Sequence, residues 1–163
     1  MAAVDYFLVI DGIKGETTDA KFSGKGAIDV ESFSWGETNS GASAGQGGGG
    51  AGKVVMQDFH FVMKVNKASP ELMLSCAEGR HIKSAELTCR KAGKEQQEFI
   101  SIKMSDLLVS SYQIGGSHGD VIPTDQVSLN YSKIEYSYKP QKPDGTLDAA
   151  VKVGWDLKQN KKV

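Results

Sequence analysis

The stretch that decides the fold is residues 28–65, IDVESFSWGETNSGASAGQGGGGAGKVVMQDFHFVMKV. It predicts two long strands, residues 28–36 and 53–65, on either side of a glycine-rich connector, residues 41–52. Seven of the twelve connector residues are Gly and three are Ala, so the connector has almost no apolar area to bury. Ordering such a segment costs roughly 1–2 kcal/mol of backbone entropy per residue. Long loops in compact domains are either functional or disordered, so what this connector contacts is the functional question.

Most of the remaining chain alternates apolar and polar residues, which is typical of β-strands. Residues 6–10 carry apolar side chains on both faces and predict a strand buried on both sides. Residues 12–27 contain four Gly with several Lys and Thr, and predict an exposed loop. The apolar parity shifts between residues 127 and 138. That shift predicts a bulge, or a change of partner sheet, near Ser132 and Lys133.

One segment breaks the β pattern and predicts a helix over about residues 70–78. Ser69 suits the N-cap, Pro70 the first helical position, and Gly79 the C-terminal cap. The predicted apolar stripe consists of Leu72, Met73 and Cys76. A helix of about three turns depends on packing against the sheet for its stability.

Eight or so strands and one helix in 163 residues predict one domain, residues 1–163, that is mainly β. The expected architecture is a closed or nearly closed β-barrel, or a two-sheet barrel, with one short α-helix. The side chains expected in its core are Phe33, Trp35, Phe59, Phe61, Leu87 and Trp155.

Composition narrows the classes of function. The formal net charge is −1 with mixed signs, which argues against a nucleic-acid surface. No apolar run approaches the ~18 residues of a membrane span. The N-terminus carries Asp5 and lacks a basic segment, so no signal peptide is expected. The two cysteines do not form a disulfide framework, which indicates folding in the cytoplasm and leaves leaderless export open.

The connector also imitates a nucleotide-binding loop. Gly47-x4-Gly52-Lys53 matches most of a phosphate-binding loop, but that motif needs Ser or Thr next and then a helix. Here Val54 follows, at the start of a strand pattern. A flexible or partner-ordered loop is therefore the preferred interpretation, and no cofactor is expected.

No catalytic or metal-binding constellation is predicted. Cys76, His81 and Cys89 lack the paired spacing of a zinc site. His118 lies in a polar loop, with no nucleophile elbow around any serine. We therefore expect no enzyme activity and no metal.

The chain as a whole resembles the Hcp family, the hemolysin-coregulated proteins of bacterial type VI secretion systems. The resemblance runs in order from Asp5 to Asn160. It is carried by VDYFLVIDGIKGE, SFSWG, GGGGAGKV with QDFHF, KASPELMLSCAEGRHI, AELTCRKAGKEQQEF with DLLVSSY, VSLNYSKIEYSYKPQKPDG, and GWDLKQN. The sequence departs from the pattern mainly at residues 17–25, 43–46 and 161–163.

The resemblance implies a barrel of two sheets that is similar to phage tail-tube proteins. It implies a homohexameric ring, with rings stacked into the inner tube of the secretion system. The implied partners are the spike protein, the contractile sheath and small effector proteins sheltered in the ring lumen. It also implies assembly in the cytoplasm followed by secretion, with no nucleic acid and no membrane insertion.

Two sets of residues are assigned roles on this basis. If Phe33 and Trp35 face the core, Ser32 and Ser34 point the opposite way. The resemblance places that face in the lumen, although an ordinary solvent face would show the same alternation. The second set is a loop expected to contact other subunits or rings: Gly41, Ser43, Gln46, Gly47, Gly48, Gly49, Gly50, Gly52 and Lys53.

An alternative function is a small secreted binding module, such as a carbohydrate-binding β-sandwich. Such a module needs an exposed aromatic platform. Trp35 and Trp155 are the only tryptophans, and both occupy alternating strand positions that favour the core.

Overall fold

A computed structural model describes residues 3–39, 53–93 and 95–163. A single α-helix, α1 (Ala68–Glu78), and a short 3-10 turn (Ser23–Lys25) accompany the strands. The strands are β1 (Val4–Ile10), β2 (Ile28–Val30), β3 (Ser32–Ser34), β4 (Glu37–Asn39), β5 (Val54–Met56), β6 (Phe59–Lys64), β7 (Ile82–Lys91), β8 (Glu98–Gly115), β9 (Thr124–Tyr138), β10 (Val151–Asp156) and β11 (Lys161–Lys162).

Nine of these strands form one antiparallel sheet. Its path runs β11–β10–β9–β8–β7–β1–β2, while β6 also pairs with β9, and β3 pairs with β6. Strands β4 and β5 pair only with each other and form a two-stranded ribbon. The ribbon ends at Asn39 and Lys53, so it carries the connector.

The sheet does not close into a barrel in the described part of the chain. Strand β2 pairs with β1, and β3 pairs with β6. At the break between them, the Glu31 N–H donates to the Val62 carbonyl at 2.8 Å. The predicted mainly β fold with one helix is confirmed, whereas the predicted closed barrel is not.

The parity shift in β9, predicted to mark a bulge or a change of partner sheet, coincides with a change of partner strand within the one sheet. Residues 124–129 of β9 pair with β6 on one side, whereas residues 133–138 pair with β10. The alternation of buried residues changes parity between Tyr131 and Ile134, at the junction of these two zones. In β8 the burial shifts at the same level, from Met104 to Leu107, and the intervening Asp106 has φ 50°. Each of the two long strands therefore changes the face that it turns toward the core, and the two changes lie side by side in the sheet.

The core lies between the main sheet and α1. Phe59, Phe61 and Leu87 are fully buried in it, as predicted. Phe33 and Trp35 are partly buried and pack against it. Trp155 is half-buried and lies outside this cluster, so the prediction that it belongs to the core is wrong.

A second, smaller cluster lies under residues 12–27. It contains Phe7 and Phe22, whose rings stack at 4.3 Å, together with Ala27. The prediction of an exposed loop is therefore wrong for its inward-facing residues. The opening strand β1 is buried on both sides, as predicted, because Leu8 faces the main core while Phe7 faces this cluster.

Arg90 fastens this loop to the sheet. Its side chain is only 4 % exposed, and its Nη2 donates to Asp19 at 2.6 Å and to Asp5 at 3.3 Å. The guanidinium also lies 4.7 Å from the centre of the Phe7 ring. Because Arg90 donates a hydrogen bond to the Asp19 carboxylate, the pKa of Asp19 lies below its usual value. A buried arginine thus replaces the outward-facing one that simple alternation predicts.

Helix α1 forms where predicted but begins differently. The N–H of Ala68 is bound by the Asn66 side chain at 2.9 Å, and the Ser69 hydroxyl points into the core, so Ser69 is not the N-cap. Leu72 is buried as predicted, whereas Met73 is 54 % exposed. The predicted C-cap is confirmed, since Gly79 adopts a left-handed φ of 62°.

Candidate functional site

The surface features that bear on function lie at the base of the β4–β5 ribbon and on both faces of the sheet. The described residues contain no cluster of three or more His, Cys, Asp or Glu that could hold a metal ion. Among these residues, no helix is long and apolar enough to cross a membrane.

A partly buried hydrogen-bond chain fixes the base of the ribbon. The indole N–H of Trp35 donates to the Tyr131 hydroxyl, which donates to the Gln57 carbonyl at 2.9 Å. The Gln57 N–H donates to the Gly36 carbonyl at 2.9 Å. Burial raises the pKa of Tyr131 to about 12, so its hydroxyl remains a donor at neutral pH. The ribbon therefore leaves the main sheet in a defined direction.

An open groove of about 830 Å³ lies between the ribbon and the β10 edge of the sheet. Both tryptophans of the chain line it. The indole N–H of Trp155 is buried and has no acceptor among the described residues. The lining is mainly apolar and consists of Trp35, Glu37, Thr38, Asn39, Lys53, Val54, Met56, Ile134, Tyr136, Val153, Gly154, Trp155, Asn160 and Lys162.

The groove opens onto an exposed apolar strip along β9 and β10. Val151 is paired with Tyr138 and Val153 with Tyr136, so the four side chains share one face. Val151 is 62 % exposed and Val153 is 55 % exposed. An isolated exposed valine needs no explanation, but a contiguous apolar strip on a sheet marks an interaction surface. The alternation of residues 134–138 and 151–157 is the signal in the sequence that could have identified this strip.

A polar surface of the sheet contains Ser32 and Ser34, and both are exposed as predicted. Ser34 pairs with His60 across β3 and β6, His60 pairs with Ser128 of β9, and Ser128 pairs with Ser111 of β8. The His60 Nδ1 lies 3.2 Å from the Ser128 hydroxyl. The sheet therefore brings the imidazole of His60 and the hydroxyls of Ser128 and Ser111 into line with Ser34, a row that the sequence did not reveal.

A second row extends this polar face. Ser32 pairs with Val62, which pairs with Gln126, which pairs with Gln113. Apart from the apolar Val62, the side chains of this row can donate and accept hydrogen bonds without carrying charge. The face, which we call the hydroxyl face, consists of Ser32, Ser34, His60, Ser111, Gln113, Gln126 and Ser128.

Lys53 is the one residue of the predicted contact loop that lies within the described residues. Residues 41–52, including every glycine assigned to it, Ser43 and Gln46, lie outside the described residues. Lys53 is described: it is exposed and lines the groove. The ribbon thus brings both ends of the connector, Asn39 and Lys53, to the groove.

Sequence reasoning also missed a buried carboxylate beside the helix. Asp125 is fully buried and accepts hydrogen bonds from the hydroxyls of Ser69, at 2.5 Å, and Tyr112, at 2.8 Å. Burial, with a smaller contribution from Asp125, raises the pKa of Tyr112 to about 12. This network joins α1 to β8 and β9. Alternation within β9 does place Asp125 on the same face as Val127, which is the one signal available in the sequence.

Comparison with known proteins agrees with this architecture. A family model described as "Type VI secretion system effector, Hcp" matches residues 7–138. Protein hcp1 of Pseudomonas aeruginosa is 44 % identical over 160 residues, which cover 97 % of this chain and 98 % of that protein.

Solved structures agree at the level of the fold. A structure described as a type six secretion system protein superimposes with a TM-score of 0.91 and 29 % identity, covering 99 % of this chain and all of that one. Hcp1 from Salmonella typhimurium gives a TM-score of 0.80 and 32 % identity over 99 % of this chain and all of that one. The match therefore extends over the whole chain and not over one motif. This chain belongs to the Hcp family of type VI secretion proteins.

Proposed function

We propose that this protein is the structural subunit of a type VI secretion tube. Six copies associate head to tail into a ring, and rings stack into the inner tube that is expelled with its spike and effectors. Assembly occurs in the cytoplasm, inside a contractile sheath, before export. We further propose that in the assembled ring the sheet closes into a barrel similar to that of phage tail tubes, with β2 and β3 meeting at Glu31.

The observation that carries this proposal is the exposed apolar strip on β9 and β10. It lies at the edge of a sheet whose fold is that of a family of secretion-system proteins. A heterologous interface buries such a strip against a different surface of the next copy, and closure of the rotation gives a ring. The same strip is not needed to complete the core of the single chain.

Light scattering coupled to size exclusion tests the ring directly. The expected mass is six times that of the 17.5 kDa chain, without added cofactor, and negative-stain images should show rings. A folded, β-rich monomer across micromolar concentrations would overturn the tube assignment.

We propose that the hydroxyl face lines the ring lumen and holds effector proteins. Small hydroxyl and amide side chains leave the bore wide and offer adaptable hydrogen bonds to varied cargo. The row that joins Ser34 to Ser128 and Ser111 through His60 supports this assignment, since it places polar side chains side by side on four strands.

Ser34→Gln tests the lumen assignment, because it keeps polarity and adds bulk on the hydroxyl face. Rings should still form, while a cognate effector should lose its co-purification with the ring. Ser23→Gln, an exposed serine in the loop over the second cluster, is the matched control. Unimpaired effector retention by Ser34→Gln rings would remove Ser34 from the cargo surface.

We also propose that residues 41–52 and Lys53 contact neighbouring subunits or rings. Shortening the connector should leave the subunit folded, because changes in loop length cost only tenths to about 1 kcal/mol. Tube formation and secretion should fail. Normal secretion by the shortened protein would contradict this role.

A further inference from the structure

The tip of the hairpin between β8 and β9 presents an unusual combination of side chains. Val121 is 98 % exposed, and its neighbour Ile122 is also exposed. Asp120 precedes them and is held by Ser117, whose hydroxyl donates to its carboxylate at 2.8 Å. The tip therefore exposes two apolar side chains next to an aspartate whose carboxylate is held in place by Ser117.

The groove beneath the ribbon has the complementary properties. It is concave, and Trp35, Trp155, Met56 and Val153 give it apolar walls. Two lysines, Lys53 and Lys162, line it together with one acid, Glu37, so its formal charge is positive by one. A tip of apolar residues preceded by an aspartate fits this lining in both shape and charge.

The groove cannot be filled by the tip of its own chain. The tip joins β9 at Thr124, and Ile134, which lines the groove, lies ten residues further along the same strand. Ten residues of strand extend about 33 Å. The residues between Asn39 and Lys53 also offer no side chain larger than Gln46 for an apolar groove of this size.

We propose that the β8–β9 tip of one copy, with Val121 and Ile122, docks in the groove of another copy, with Asp120 near Lys162 or Lys53. The contact uses two different surfaces, so it is heterologous and propagates from copy to copy. This inference rests on the proposed self-assembly of the chain and names which parts of two subunits meet. The exposed apolar face of α1, with Met73 and Leu74, is the competing occupant.

Disulfide trapping tests the contact in the assembled protein. Val121→Cys and Val153→Cys chains are co-expressed, the assembly is oxidised mildly, and a non-reducing denaturing gel is read for covalent dimers. We expect a dimer from the mixture and none from either variant alone. The wild-type protein controls for the native Cys76 and Cys89, which are half-buried and buried.

The outcomes separate this inference from the proposed ring. Rings seen by light scattering without a Val121–Val153 dimer would overturn the docking and leave the ring intact. A dimer between Leu74→Cys and Val153→Cys chains would assign the groove to α1. If the wild-type protein formed no oligomers at all, that result would instead overturn the proposed function itself.

A charge exchange tests the same contact without cysteines. Asp120→Lys should weaken self-association measured by light scattering, and adding Lys162→Asp should restore it in part. Asp148→Lys, an exposed aspartate in another loop, is the matched control. Trp35 and Trp155 are the only tryptophans, so intrinsic fluorescence reports the groove directly. Its emission should shift to the blue on assembly in the wild type and not in Asp120→Lys; an equal shift in both would overturn the docking.

Discussion

The indole N–H of Trp35 donates a hydrogen bond to the hydroxyl of Tyr131, 96 positions later in the chain. Trp35 follows β3 directly, whereas Tyr131 lies in the middle of β9. The pair closes the gap between the end of one short strand and the longest hairpin of the sheet. It also sets the starting direction of the ribbon that carries the connector.

Replacing the hydroxyl of this pair should destabilise the fold. Tyr131→Phe leaves the Trp35 N–H and the Gln57 carbonyl without their partner. Both groups are only partly buried, and a typical hydrogen bond contributes about 0.5–1.5 kcal/mol, so the free energy of unfolding should fall by that order. Urea unfolding at fixed protein concentration measures it. Tyr138→Phe alters an exposed tyrosine and should change little; equal effects from both variants would contradict the role of the chain.

Stability should also decline at alkaline pH for a defined reason. The folded pKa values of Tyr131 and Tyr112 are both raised to about 12, mainly by burial, against about 10 for an unfolded tyrosine. Their contribution is fully present below about pH 10 and is lost as the pH rises toward 12. The melting temperature should therefore fall across this interval, and less steeply in Tyr131→Phe. An unchanged slope in that variant would contradict the assignment.

Two serines of α1 provide a matched pair. The Ser69 hydroxyl donates to the buried Asp125 carboxylate, so Ser69→Ala should cost about 1–3 kcal/mol. The Ser75 hydroxyl is also buried but has no partner among the described residues. Ser75→Ala should therefore be nearly neutral. Thermal unfolding of both variants decides the point, and a larger loss from Ser75→Ala would refute it.

The two acids bound by Arg90 should differ in importance. Asp19 lies 2.6 Å from the guanidinium, and its lowered pKa stabilises the fold above about pH 4, a contribution lost as the pH falls further. Asp19→Asn should destabilise the protein at neutral pH and flatten the acid limb of its stability profile. Asp5, at 3.3 Å and more exposed, is the control. If Asp5→Asn has the larger effect, the loop is fastened differently.

Phe59 and Trp155 should separate folding from assembly. Phe59 is fully buried, and truncating it to Ala should cost about 3–5 kcal/mol. Trp155 lines the groove and lies outside the core cluster, so Trp155→Ala should cost less stability and should reduce self-association more. Melting curves and light scattering on the same samples make the comparison. Loss of folding by both variants to the same extent would return Trp155 to the core.

The strands were predictable where each had one apolar face toward a single core. Alternation identified Phe59 and Phe61 as buried and located the change of partner near Ser132, because a strand cannot change parity without a change in its neighbours. The proposed assembly came from the family resemblance, because no local pattern indicates it.

The predictions of burial failed where a second surface of the protein covers a strand or where the sheet extends past the core. Arg90 alternates as an outward residue, but the loop above it turns that side into a small second core. Trp155 alternates as an inward residue, but the sheet continues past the core at that point and presents it to a groove. The sequence of one chain does not say which faces a distant loop or another copy will cover.

The two longest strands, β8 with 18 residues and β9 with 15, run through both zones of the sheet. They pair with each other from Ile100 to Gly115, while β7 pairs with the early part of β8, and β6 and β10 pair with different parts of β9. Neither zone can therefore separate without breaking hydrogen bonds in the same two strands. We therefore expect the subunit to unfold in a single cooperative step. Under an axial push, a wall built of such subunits would transmit force through continuous backbone and would not hinge between two halves.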